Sequence, residues 1–231
     1  YNHQSPDYLV TLIDAAKAAG YTTWWCTNHK ANDYQTGYIM QTADHVVEVL
    51  APTGDDAQLL DVMDTIPQEG HHFVVLHIMG SHLRYGDRYP TGFPVIPGNN
   101  KKISEYDTSI AYTDHILQKM TEKARETLHA SVIMYVSDHS EDMKYTHGTG
   151  HFTFDMTRIP LWIYLSPSYQ QKHKEKAESL QRHESCVFTN DLVFDTLCGL
   201  IGADNYGRTE AYDLSSPSYA LTEKEALTMH G

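Results

Sequence analysis

The chain has 231 residues, 41% of them hydrophobic, with 17 Lys and Arg against 30 Asp and Glu, a formal charge of −13. That length suits one α/β domain with a substantial core. The acidic balance argues against a nucleic-acid binder, which gathers basic residues on phosphates, and no apolar run reaches the ~18 residues of a membrane span.

Ser5-Pro6 reads as a helix N-cap with Pro in the first turn, and Leu9, Leu12, Ile13, Ala16 and Ala19 recur at helical spacing up to Gly20. Tyr21 to Thr27 is aromatic and β-branched, and His45 to Leu50 is short and apolar; both predict strands. Asp55 to Ile66 predicts a helix with Leu59, Leu60, Met63 and Ile66 on one face. "HHFVVLHIM" follows as a buried strand, then a loop from Arg84 to Asn100. Ser104 to Leu128 predicts a long helix with Tyr106, Ile110, Thr113, Leu117, Met120 and Ala124 near one stripe. "ASVIMYVS" and "IPLWIYLS" are further strands, on either side of a Gly/His/Thr loop from Lys144 to Thr153. Ser166-Pro167 opens a polar helix through Arg182. Thr189-Asn190 caps another through Ile201, stopped by Gly202, and the tail after Asp204 is irregular and polar. Strands alternating with helices predict an α/β fold, a largely parallel sheet covered by helices on both faces, as one domain over residues 1–231.

Cys26, Cys186 and Cys198 show no metal-knuckle spacing. They read as three buried thiols, with a Cys186–Cys198 bridge as the alternative. The unusual count is 15 His, with His71, His72, His77 and His82 in one group and His139, His147 and His151 in another. In open α/β sheets, ligands bind beyond the carboxyl ends of strands. Asp138 and His139 emerge at such an end, and the strand ending at Met79 exits through Gly80 and Ser81 to His82. If those strands were parallel neighbours, both tips would share a rim, with His147 and His151 returning to it. A carboxylate beside an imidazole suits Zn²⁺. The alternatives are an Asp-His pair that only caps a turn or helix, and a solvated His82. Glu141 reads either as a support to the site or as a helix N-terminal carboxylate. His77, inside a strand, reads as buried and structural. Trp24 and Trp25 read as core.

Five stretches occur in order: "VVLHIMGSHLRYGDRYP", "EYDTSIAYTDHIL", "YVSDHSE", His147-Gly148 and "IPLWIYLSPSY". Together they resemble the phosphoethanolamine transferases of Gram-negative envelopes, in the sulfatase and alkaline phosphatase superfamily, over almost the whole chain. The resemblance implies an alkaline-phosphatase/sulfatase-like fold and a catalytic domain at the periplasmic face of the inner membrane. It implies Zn²⁺, a Thr nucleophile, a phospholipid donor and a lipopolysaccharide-type acceptor. By motif, Asp138 and His139 are the implied metal ligands, while His82 and His147 are the pair that holds the phosphoryl group or a second zinc. Asn28 and Lys30 fall near a substrate-side segment, and His151 belongs to a His-rich loop that could set the acceptor.

The sequence departs from that family in three ways, one of them the His-rich loop just named. The nucleophile and an acidic zinc ligand would lie upstream of the first helix, so the chain reads as the C-terminal part of a catalytic domain, with membrane contact through missing N-terminal helices. By itself it is expected to bind metal weakly and not to turn over. Thr11, Thr22 and Thr23 offer no nucleophile: one reads as helical and two as strand. Ser140 stands where the family has Gly, a source of strain if its φ is positive. The alternative functions are a sulfatase or phosphodiesterase of the same superfamily, and a non-catalytic envelope binding module.

Overall fold

The computed structural model describes residues 10–30, 34–50, 55–147, 150–204 and 207–228. They fall into two compact units: residues 20–130, and residues 1–19 with 131–231.

In the unit of residues 20–130, β1 (Thr22–Thr27) lies between β2 (His45–Glu48) and β3 (His72–His77), and both pairings are parallel. Three helices accompany this sheet: α2 (Tyr34–Gln41), α3 (Gln58–Met63) and the 26-residue α4 (Lys101–Glu126). Trp24 and Cys26 of β1 pack with Leu59, Val62 and Met63 of α3 and with Tyr112, Ile116 and Met120 of α4. Burying such side chains contributes roughly 1.5–3 kcal/mol each.

The long helix starts earlier than Ser104, because the Asn100 side chain accepts from the Ile103 N–H at 3.0 Å. Its buried face is also rotated from the expected stripe. Thr108, Ser109, Tyr112, Thr113, Ile116 and Met120 are buried, while Ile110 is 45% exposed. The hydroxyls of Thr108 and Ser109 donate to the carbonyls of Ser104 and Tyr106, so these polar residues enter the core already satisfied. The α2 helix was not expected at all. Its sequence, YQTGYIMQ, holds a mid-helix glycine and buries Met40 while leaving Tyr38 59% exposed.

In the other unit, α1 (Leu12–Ala18) packs on α7 (Val193–Ile201) through Ala15, Cys198 and Ala203. The helix begins at Leu12, with Thr11 as its cap, and the expected Ser5-Pro6 start lies outside the described residues. Strands β4 (Val132–Val136) and β5 (Leu161–Leu165) form an antiparallel pair, and no ladder joins β3 to β4 among the described residues. The helix expected through Arg182 is two, α5 (Pro167–Lys172) and α6 (Lys174–Arg182), because His173 leaves helical geometry at φ −123, ψ 52. Gly202, at φ +77, ends α7 in the left-handed conformation that an L side chain resists.

The tail is irregular as expected, yet much of it is buried. Asp213 is fully buried and pairs with Arg208 at 2.6 Å, and it also accepts from the Ser215 N–H and hydroxyl. All three cysteines are free. Cys26 and Cys198 are buried, but Cys186 is exposed, so the expectation of three buried thiols fails at Cys186.

Candidate functional site

Strand β4 is apolar and half-buried along its length, and the ladder ends as the chain reaches Ser137. There the backbone is fixed by polar contacts. Ser137 Oγ donates to the His139 carbonyl at 2.8 Å, and the Ser140 N–H donates to the Met156 carbonyl at 2.8 Å. Asn190 reaches across to donate to the carbonyls of Ser137 and Asp138. Sequence reasoning gave Asn190 only a capping role, since an Asn before a helix is an ordinary cap signal.

This clamp displays Asp138 with its side chain 88% exposed, and His139 half-buried beside it. His139 Nδ1 lies 3.0 Å from the Ser140 carbonyl, an acceptor, so Nδ1 carries the proton and Nε2 keeps its lone pair. Nε2 stands 3.8 Å from Asp138 Oδ2. Two donors on one tetrahedral zinc ion stand about 3.4 Å apart. The pair therefore fits half of such a shell with a small adjustment, and its imidazole is set as zinc ligands usually are, with the other nitrogen donating to an oxygen. Among the described residues, no three His, Cys, Asp or Glu side chains gather closely enough to hold a metal ion. Among the described residues no helix starts between the pair and the short 3-10 turn at Phe154, which removes the reading of Asp138-His139 as a helix cap and of Glu141 as a helix N-terminal carboxylate.

His147 joins this pair: its ring lies 4.3 Å from that of His139 between centroids, tilted by 35°. The loop that delivers it is organised by Asp142. One carboxylate oxygen accepts from the N–H groups of Lys144 and Tyr145 at 2.7 and 2.9 Å, and the other accepts from Thr153 at 2.8 Å. These donors hold the Asp142 carboxyl below the usual carboxylate range. The Asp142 carbonyl takes the Thr146 N–H at 2.7 Å, holding Thr146 at φ +59, a costly conformation for a β-branched residue. Ser140 is not among the positive-φ residues, so the strain considered there is absent. His151 is exposed and stacks on Tyr145 with centroids 5.0 Å apart. Gly148, of the His-Gly motif, lies outside the described residues.

Asn28, Lys30 and His82 belong to the unit of residues 20–130. Asn28 follows β1 and is buried. Its Nδ2 donates to Asp56 at 2.7 Å, and its Oδ1 lies 2.9 Å from His29 Nδ1. Asp56 also accepts the N–H groups of Met79 and Gly80, each at 2.8 Å. This buried carboxylate thus pins the exit of β3, where Gly80 turns at φ +57 toward His82. Burial pushes the Asp56 pKa up, against these hydrogen bonds. His82 is exposed, with Nδ1 2.8 Å from the Leu83 carbonyl, and Lys30 is exposed at the start of the following segment.

His77 is half-buried, with Nδ1 3.3 Å from Thr27 Oγ1, as expected of a structural strand residue. His72, in the same group, accepts from Trp24 Nε1 through its Nδ1 at 3.1 Å. Of the two tryptophans, Trp24 is buried in the core and Trp25 is half-buried.

A sulfatase family profile matches residues 1–203. The phosphoethanolamine transferase EptA of Salmonella typhimurium is 30% identical over 186 residues, covering 71% of this chain and 34% of the relative. The Kdo(2)-lipid A phosphoethanolamine 7''-transferase of the same organism is 28% identical, covering 65% and 30%. The C-terminal periplasmic domain of EptC from Escherichia coli superposes with a TM-score of 0.76, and its complex with Zn with 0.75. Both are 21% identical and cover 92% of this chain and 67% of the other, a likeness of fold. The chain spans about a third of the length of the curated relatives it matches.

Proposed function

Because the chain belongs to the sulfatase family, we propose that it serves the zinc-dependent transfer of phosphoethanolamine from a phospholipid to lipid A or a related envelope glycan. In this reading residues 1–231 are one domain at the periplasmic face of the inner membrane. Support comes from the relatives, which are named as phosphoethanolamine transferases, two of them with lipid A acceptors. The observation that carries the reading is the Asp138–His139 pair just beyond β4, with Oδ2 and Nε2 3.8 Å apart and Nδ1 tied to the Ser140 carbonyl.

In this mechanism Asp138 and His139 would hold zinc, which when bound would lower the nucleophile's pKa and neutralise phosphoryl charge. A threonine attacks phosphorus, and the diacylglycerol oxygen leaves. His82 and His147 bind the phosphoryl group or a second cation and handle the proton of the departing oxygen, a role worth typically 10²–10⁴-fold in rate. Asn28, Lys30 and His151 border the substrate.

Two measurements test the proposal. Fluorescent phosphatidylethanolamine incubated with the parent protein and lipid A should label the lipid. Release of free phosphoethanolamine without labelling would mean a hydrolase, and neither product a binding module. Zinc content of the chain should fall in His139→Ala, and an unchanged stoichiometry would remove Asp138 and His139 as ligands.

A further inference from the structure

The Glu141 side chain is only 6% exposed, and the buried Oε1 has no hydrogen-bond partner among the described residues. Its Oε2 lies 3.0 Å from His147 Nδ1. Burying a carboxylate is expensive, and this one spends one oxygen on a single imidazole and leaves the other unmatched. Nothing in that arrangement strengthens the backbone of the loop, which Asp142 already holds. The yield is control of the ring. A carboxylate only accepts, so His147 Nδ1 must donate, and in the neutral ring Nε2 is left with its lone pair.

The neighbouring His139 is set in the same way through the Ser140 carbonyl, and the two rings lie 4.3 Å apart. Two adjacent imidazoles therefore have Nδ1 tied to an oxygen, so that in their neutral forms Nε2 carries the lone pair. Pairs of this kind suit electron-pair acceptors, a divalent cation or a proton in flight, rather than phosphoryl oxygens, which need N–H donors.

We propose that Glu141 is a positioning residue that locks His147 in the Nδ1–H form, so that His147 acts through the Nε2 lone pair. The role of that lone pair in phosphoryl transfer rests on the function proposed above; the tautomer does not.

The test is long-range ¹H–¹⁵N spectroscopy of the ¹⁵N-histidine chain at about pH 8, above the ordinary imidazole range. His147 is assigned by its loss in His147→Asn. The wild-type ring should carry its proton on Nδ1. Glu141→Gln, whose amide oxygen still accepts, should keep it there, and Glu141→Leu should return His147 to the Nε2–H form usual for a free imidazole. A wild-type His147 protonated on Nε2 overturns the proposal, as does a Glu141→Leu ring that stays Nδ1–H; should the leucine variant not fold, the wild-type spectrum decides. Zinc uptake by the same samples keeps the two ideas apart. Nδ1–H with a zinc uptake that His139→Ala leaves unchanged supports the positioning role and sinks the metal reading, whereas uptake with Nε2–H defeats the positioning role alone. Where both hold, Glu141→Leu should weaken zinc binding about 10- to 100-fold, the usual effect of losing a ligand's supporting partner.

Discussion

His29 lies half-buried against His77, ring centroids 4.3 Å apart, with Nδ1 on the Asn28 side chain. Burial, then the His77 ring, lower its pKa from 6.5 to about 4. Between those values the unfolded chain binds the proton and the folded chain does not. This residue's contribution is therefore fully present above pH 6.5, and stability falls as pH drops from 6.5 toward about 4. His29→Asn should flatten the fall of the urea midpoint across that window relative to the wild type; an unchanged slope would assign the pH dependence to other groups. The spacing of Asp138 and His139 was readable because adjacent residues need only a strand end to face the same way. The pairing of Glu141 with His147 was not, because it depends on the path of the Asp142 loop.

Among the elements, α1 is a seven-residue helix held at its start by a capping box. Thr11 accepts the Asp14 N–H at 3.2 Å, and Asp14 returns a bond to the Thr11 N–H at 2.9 Å. Thr11→Ala should lower stability by about 1 kcal/mol, the usual loss of an N-cap, measured as a shift in denaturant midpoint at constant slope. On α7, a side chain at Gly199 would place Cβ 1.9 Å from the carboxylate of the fully buried Asp213. Alanine gains about 1 kcal/mol of helix propensity over glycine. Overpacking costs typically 1–3 kcal/mol, and more where a buried ion pair must move. The clash wins, so Gly199→Ala should destabilise by about 1–2 kcal/mol net. A variant as stable as the wild type would show that Asp213 yields freely. Here the sequence spoke through Gly202, the helix stop, but gave no sign of Gly199, whose constraint comes from a residue 14 positions away in the tail.

For the molecule as a whole, two of the threonines expected to be unsuitable as nucleophiles are spent on structure. Thr11, expected inside a helix, is its cap, and Thr23 on β1 donates to Asp44 at 2.8 Å. The 231-residue chain, incubated with phosphatidylethanolamine and zinc, should therefore form no phosphoethanolamine–threonine adduct by mass spectrometry; an adduct would place the nucleophile within this chain. Period and punctuation in the sequence determined the five strands, the long helix, the α/β class and the Asp138–His139 pair, because apolar runs, caps and glycine stops act over a few residues. Only the tertiary structure decided that β4 pairs antiparallel with β5, that α4 turns Thr108 rather than Ile110 inward, and that a buried glutamate orients His147. Those outcomes depend on which hydroxyls and carbonyls meet once distant segments pack, and local periodicity does not encode such meetings.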